Sequence, residues 1–290
     1  MNSRGALHRY ATVTTVATFG LLIAGSLVTS TDSGLSVPDW PLSYGTWFPP
    51  MVGGIRYEHG HRMIAGGVGL MILLLAWGLR VTEPRRWVRR LGYAALGAVF
   101  GQALLGGLTV LLLLPPQVSI AHACLGQAVF CLAASLAWCT SPRWIAVPPR
   151  LPETAARLRA RSILIASVAA FQLLLGAIIR HTTTTIVPHL MVATLLAALA
   201  IWMVVGAWRV RREAPDLFRH TSRLAGLLGV QLAIGLSVLA HRGSVLWRTA
   251  HVAVGALVLG QAVLLAWDAA RRVSPPSTGD PSAVPVEVPG

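Results

Sequence analysis

Four histidines occupy matching places in this chain. His61, His122, His189 and His251 each open an apolar stretch. His61 and His189 are 128 residues apart, and His122 and His251 are 129 apart. Imidazole is the commonest protein ligand for a metal. One histidine near a helix end is ordinarily a cap or an interface residue. Four at equivalent positions call for another explanation, because ionisable groups at membrane depth are costly and tend to serve function. No third or fourth Cys, His or Asp ligand recurs beside them in both halves, as a tetrahedral zinc site would require. Four residues after each histidine lies a small residue: Ala65, Gly126, Ala193 or Gly255. Small side chains one turn away leave room for a flat macrocycle against the helix. Imidazole is also a standard axial ligand of haem iron. The pattern predicts one porphyrin between His61 and His122 and a second between His189 and His251, so that all four are metal ligands.

Other residues near these histidines are chemically capable. Glu58 stands three residues before His61, on nearly the same helix face. A buried carboxylate there can act as a general acid or base; the plainer alternative is an acid matched to a helix N-terminus. The second half has no counterpart, since Ile186-Val-Pro precedes His189. Arg56, Arg62, Arg180, Arg242 and Arg248 adjoin the same helix ends. A guanidinium pairs well with a carboxylate, so these arginines are candidates for the porphyrin propionates, or else ordinary interfacial anchors. The stretch 31–57, rich in Trp, Pro and Gly, reads as a lid over an apolar pocket or as a segment dipping into the interface. Its counterpart, 181–187, is short. The asymmetry suggests one reactive site and one electron-transfer or structural site.

The elements that must position these residues are membrane spans. The chain has 290 residues, of which 54% are hydrophobic and only 12% charged, about half the usual charged share. Lipid-facing side chains must be apolar, and a span takes about 20 residues. Eight windows qualify, at 10–30, 60–79, 91–113, 118–139, 162–180, 186–207, 222–240 and 246–267. The net charge of +14 does not indicate nucleic acid. Every basic residue is Arg, with 19 on one set of alternate loops and five on the other. That is the positive-inside pattern, and it predicts cytoplasmic termini and an even number of spans. The first span, although preceded by Arg4 and Arg9, reads as a retained helix and not a signal peptide, because the repeat needs it. Cys124, Cys131 and Cys139 share one span and read as small apolar packing residues.

The repeat extends beyond the histidines. Gln102-Ala-Leu-Leu-Gly106 precedes His122, Gln231-Leu-Ala-Ile-Gly235 precedes His251, and Gln172-Leu-Leu-Leu-Gly176 precedes His189. Before His61 the match weakens to Gly20-Leu-Leu-Ile-Ala-Gly25. The expectation is an all-α membrane protein: two tandem four-helix bundles related by a pseudo-two-fold axis along the membrane normal. The halves would be 1–150 and 151–272, with a disordered cytoplasmic tail at 273–290.

At these residues the sequence resembles the haem A synthase family of cytochrome oxidase assembly proteins. The family motif Glu-x-x-His-Arg appears as Glu58, His61 and Arg62. Thr31-Asp-Ser-Gly-Leu-Ser-Val-Pro-Asp-Trp-Pro resembles its first outer loop, and Arg180-His181-Thr182 resembles the start of its second-half loop. The resemblance implies a membrane oxidoreductase that converts the C8 methyl of haem o to a formyl group, giving haem a. It implies that Glu58 is catalytic and that His61, Arg62 and His122 bind the substrate haem. His189 and His251 would hold haem b; of the outer arginines, Arg180 and Arg248 are the candidates to pair with that cofactor's propionates. Expected partners are a haem o synthase and a haem–copper oxidase subunit, in the inner (plasma) membrane. The electron-transfer partner and the oligomeric state, a homo-oligomer included, are left open. The chain departs from the pattern in three ways: the first outer loop has no cysteine pair, the second-half loop is short, and Leu190 stands where an Arg often follows the third histidine. A dihaem electron carrier or a haem-binding chaperone without turnover are the alternatives.

Overall fold

The computed structural model describes residues 3–146 and 156–272. The expected tail at 273–290 and the junction of the halves near residue 150 lie outside the described residues. The elements are α1 (Ser3–Ser30), α2 (Ile55–Thr82), α3 (Arg86–Leu111), α4 (Pro116–Thr140), a one-turn α5 (Pro142–Ile145), α6 (Ala156–His181), α7 (Val187–Arg209), α8 (Pro215–Ala240) and α9 (Val245–Arg272). All but α5 are long and apolar enough to cross a membrane, which gives eight spans. The protein is an all-α, multi-pass membrane protein.

Local sequence explains the helix ends. Proline, whose missing N–H has no role in a first turn, opens α4, α7 and α8. Glu58 lies in the first turn of α2 and Arg80 in its last, each matched to the helix dipole. The helices run beyond the hydropathy windows because α2 begins at Ile55, five residues before its window. The polar first turns carrying Glu58 and His61 are therefore helical.

Neighbouring helices close into two rings. In the first, α1 packs on α2, α2 on α3, α3 on α4, and α4 back on α1; α6, α7, α8 and α9 repeat the arrangement. Each ring has its own core. One is built from Leu7, Ala11, Ile72, Leu75, Leu79 and Val88, the other from Ile165, Leu196, Met203, Leu217, Leu224 and Leu265. The rings meet through α1, α4, α6 and α9. Accordingly α4 is 50% buried and α9 44%, against 11% for α8. Helix α4 serves both cores, with Val129 and Leu136 in the first and Phe130 and Cys131 in the second. The cysteines are free, with Cys131 and Cys139 buried.

Polar staples hold the seam at both ends. At one end the Arg180 guanidinium of α6 donates to Ser26 O (3.1 Å) and Ser30 Oγ (2.8 Å) of α1. At the other, Asp268 is wholly buried between Arg271 and Arg272. Arg271 in turn donates to the carbonyls of Arg143 (2.9 Å) and Trp144 (3.0 Å). A buried ion pair of this kind fixes register more than it adds stability.

Candidate functional site

The histidines lie on diagonal helices of each ring: His61 on α2 and His122 on α4, then His189 on α7 and His251 on α9. Every ring rests on a glycine of the helix before it. A Cβ at Gly25 would come within 3.0 Å of His61 Cε1, and one at Gly106 within 3.1 Å of His122 Cε1. At Gly176 and Gly235 the corresponding distances to His189 and His251 are 3.2 Å each. Such contacts are tighter than ordinary packing, so glycine provides the seat. The fourth seat is Gly25, the glycine that ends the weaker α1 match.

Two of the four small residues one turn after the histidines have a different role from the one expected. Gly126 and Gly255 make room for glutamine amides: a Cβ there would lie 3.1 Å from Gln102 Nε2 and 3.2 Å from Gln231 Nε2. In this structure they do not face an open slot for a macrocycle.

Two observations bear on whether the histidines suit an iron porphyrin. The His189 and His251 ring centroids are 6.3 Å apart. Two imidazoles on opposite sides of one metal would stand roughly 6 Å apart, from metal–nitrogen bonds of about 2 Å and about 1 Å more to each ring centre. Moreover, Nδ1 of His61, His122 and His189 is buried without a hydrogen-bond partner among the described residues. Buried polar atoms are normally paired, so orphaned imidazole nitrogens in three of four equivalent seats suit metal ligation. Among the described residues no three His, Cys, Asp or Glu side chains converge as a site for a bare ion. The spacing of His189 and His251, with the orphaned nitrogens of three of the four rings, suits a flat metal complex held between two imidazoles.

The first half carries additional machinery. Glu58 is buried. One of its oxygens accepts from Arg62 Nη2 (2.6 Å), and the other accepts the Val37 N–H of the outer loop (2.8 Å). Arg62 Nη1 donates to the carbonyls of Asp39 (2.7 Å) and Leu42 (2.8 Å). His59, also buried, shares a hydrogen bond with Ser43 Oγ at 2.8 Å. Three side chains from the first two turns of α2 thus pin the loop. Inside it, Asp39 accepts from the backbone N–H groups of Tyr44 (2.6 Å) and Gly45 (2.8 Å). The Gly45 amide foremost, with Tyr44 and Arg62 contributing, holds the Asp39 carboxyl below the usual carboxylate range. The Trp40 ring lies against Gly107 of α3. Trp47, Phe48, Met51 and Val52 face outward.

Two sequence expectations change in consequence. Arg62 is directed into the loop, and its guanidinium is taken up by carbonyls and Glu58 instead of standing open to a propionate. Arg180 is directed across the seam to α1, because Ser26 and Ser30 offer acceptors there. Arg248 stands in the first turn of α9, three residues before His251. Sequence reasoning missed His59 and Ser43, whose pairing depends on the loop's path. It also missed the role of the glycine seats, although the recurring Gln-x-x-x-Gly spacing was the available signal.

The family model for cytochrome oxidase assembly protein (COX15-CtaA) matches residues 55–188. The match opens on the first residue of α2 and takes in Glu58, His61, Arg62, His122 and Arg180. Over these residues the chain is similar to that family. A heme A synthase from Alkalihalophilus pseudofirmus is 36% identical over 104 residues, 34% of this chain and 35% of the relative. In this and similar matches the chain spans about a third of the relative's length. Longer matches exist. The heme A synthase of Symbiobacterium thermophilum is 27% identical over 79% of this chain and 84% of its own length. That of Halalkalibacterium halodurans is 27% identical over 88% and 84%. Similarity to these proteins therefore reaches both halves of the chain.

Proposed function

We propose that this protein is a haem-dependent oxidoreductase of haem a biosynthesis, and that it oxidises the C8 methyl of haem o to a formyl group. The relatives' name supports the pathway, and the pinned loop over one half supports the assignment of sites. With water as the oxygen donor, the methyl carbon loses two hydrogens and gains one oxygen while four electrons and four protons are released, and a redox acceptor outside this chain must take the electrons. The first half takes the substrate, with His61 and His122 as its iron ligands. In the second half His189 and His251 would hold haem b, which when bound would supply a redox centre. Arg248 is the candidate for its propionates. The natural setting is the plasma membrane with both termini cytoplasmic, beside a haem o synthase and a haem–copper oxidase.

The chain's own residues have separable tasks. Arg62 and His59 hold the loop closed and exclude water from the His61 seat. Glu58 is the acid–base group. Both its oxygens receive N–H donors while the loop is closed, so it accepts a proton only when Val37 or Arg62 gives way. Proton transfer is thereby tied to loop position.

The observation that carries this reading is the loop anchored by Glu58, His59 and Arg62, a feature present in one half alone; a plain electron carrier needs no such cover. The test is co-expression with a haem o synthase, followed by extraction and chromatography of the haems. Haem a or its hydroxylated precursor is expected, and Glu58→Gln is expected to lower the yield sharply. Haem o recovered unchanged would overturn the enzyme reading and favour the electron carrier.

A further inference from the structure

Gln102, Gln172 and Gln231 are built alike. Each stands four residues before a glycine seat on the same helix. Each Nε2 donates to the backbone carbonyl of the histidine opposite: 2.9 Å to His122, 3.0 Å to His189 and 3.1 Å to His251. Two of the amides also flank the ring. Gln102 Nε2 is 3.4 Å from His122 Nε2, and Gln231 Nε2 is 3.3 Å from both ring nitrogens of His251. The amide oxygen of all three glutamines is buried with no partner among the described residues. A ligand imidazole needs an acceptor for its second nitrogen, and that outer partner fixes the ring's tautomer and orientation. In these seats the amide is an outer partner of another kind: its Nε2 holds the histidine by the backbone carbonyl and, in two of the three, lies next to the ring.

The first seat departs from this pattern. Four residues before Gly25 stands Leu21, an apolar side chain packed on the first core. It offers neither a donor for the His61 carbonyl nor an acceptor for its ring. The second half therefore has two tethered histidines, and the first half has one tethered and one free.

We propose that Gln172 and Gln231 are positioning residues that lock both ligands of the resident haem, while Leu21 leaves His61 untethered and so makes the first-half site the exchangeable one. The proposal rests on the haem reading given above. A substrate must enter and leave, whereas a resident cofactor must stay.

Haem loss from the purified full-length chain to excess apomyoglobin, followed by absorption, tests it. A His189→Ala/His251→Ala background reads the first half alone, and a His61→Ala/His122→Ala background reads the second. The first half is expected to lose haem faster. Leu21→Gln is expected to slow that loss about tenfold, and Gln231→Met to speed second-half loss about 10–100-fold. Gln231→Glu, which keeps the side chain's size but as a carboxylate cannot donate to the His251 carbonyl, is expected to speed the loss and weaken the low-spin spectrum as Gln231→Met does, an effect that mere packing would not give. Should Gln231→Met fail to fold, Leu21→Gln decides alone. Equal loss from the two halves, or no change on Leu21→Gln, would overturn the proposal while leaving the haem reading intact. An unaltered chain that carries no haem after haem-replete expression would overturn the haem reading, and this proposal with it.

Discussion

The two halves share one seat and differ in what surrounds it. In both, an imidazole from an even-numbered span of its ring lies on a glycine of the span before it. In the second half both seats are tied by a glutamine and covered by a connection of only a few residues. In the first half one tie is missing, and a long loop is held over the seat by Glu58, His59 and Arg62. On the function proposed above, the repeat supplies a generic two-imidazole holder, and its surroundings decide whether it retains a group or works on one. That division follows from physics. Fixed outer partners hold a ligand still, whereas a cover held by a few hydrogen bonds can open.

The largest effect expected is on chemistry. Glu58→Gln keeps the size of the side chain and removes its capacity as a base. Turnover of haem o should fall about 100-fold or more, while haem in the second half stays bound. Loss of second-half haem along with turnover would break the distinction between the halves.

Next comes the cover. Arg62→Ala leaves the Glu58 carboxylate buried and unpaired and removes the donor to the Asp39 and Leu42 carbonyls. Breaking a buried pair in this way costs about 3 kcal/mol. Hydrogen exchange at the Val37 amide should accelerate strongly, with exchange across α7 and α9 unaffected. Unchanged protection at Val37 would mean that packing, not the ion pair, holds the loop.

A smaller effect sharpens the shared feature. Gly235→Val inserts side-chain atoms where a Cβ alone would already lie 3.2 Å from His251 Cε1. Overpacking of this kind costs about 1–3 kcal/mol. The low-spin haem spectrum of the second half should weaken, with loop exchange unaltered.

The smallest effect concerns pH. The Asp39 carboxyl titrates below its ordinary value because it accepts the Gly45 and Tyr44 amides. A depressed folded-state value means that its contribution is complete above the ordinary aspartate value of about 3.9 and is lost as pH falls through the depressed one. Exchange at the Tyr44 and Gly45 amides, corrected for intrinsic rates, should lose protection in that acid window. Asp39→Asn should remove the pH dependence.

Much of this was legible in the sequence. The eight spans follow from hydropathy, and the halves follow from the spacing of His61, His122, His189 and His251. The motif Glu58, His61 and Arg62 marked the half with added machinery. What could not be read depends on which atoms face each other across helices or along a loop. Gln-x-x-x-Gly was visible as a repeat, but its two tasks, seat and tether, appear only when α3 meets α4. Leu21 was invisible as a departure until the His61 contact fixed Gly25 as the seat. Arg62 and Arg180 looked like propionate ligands because a guanidinium's chemistry is evident from its identity and its direction is not. The loop carbonyls and Ser30 that attract them belong to backbone paths that spacing does not encode.

The central claim is that each half holds its own porphyrin between two imidazoles, tightly in the second half and exchangeably in the first. Counting haem per chain by absorption in the unaltered protein, in His61→Ala and in His251→Ala tests it most directly. The account predicts that His251→Ala abolishes the tightly held low-spin haem and that His61→Ala leaves it in place. Equal haem loss from both variants, or from neither, would contradict it.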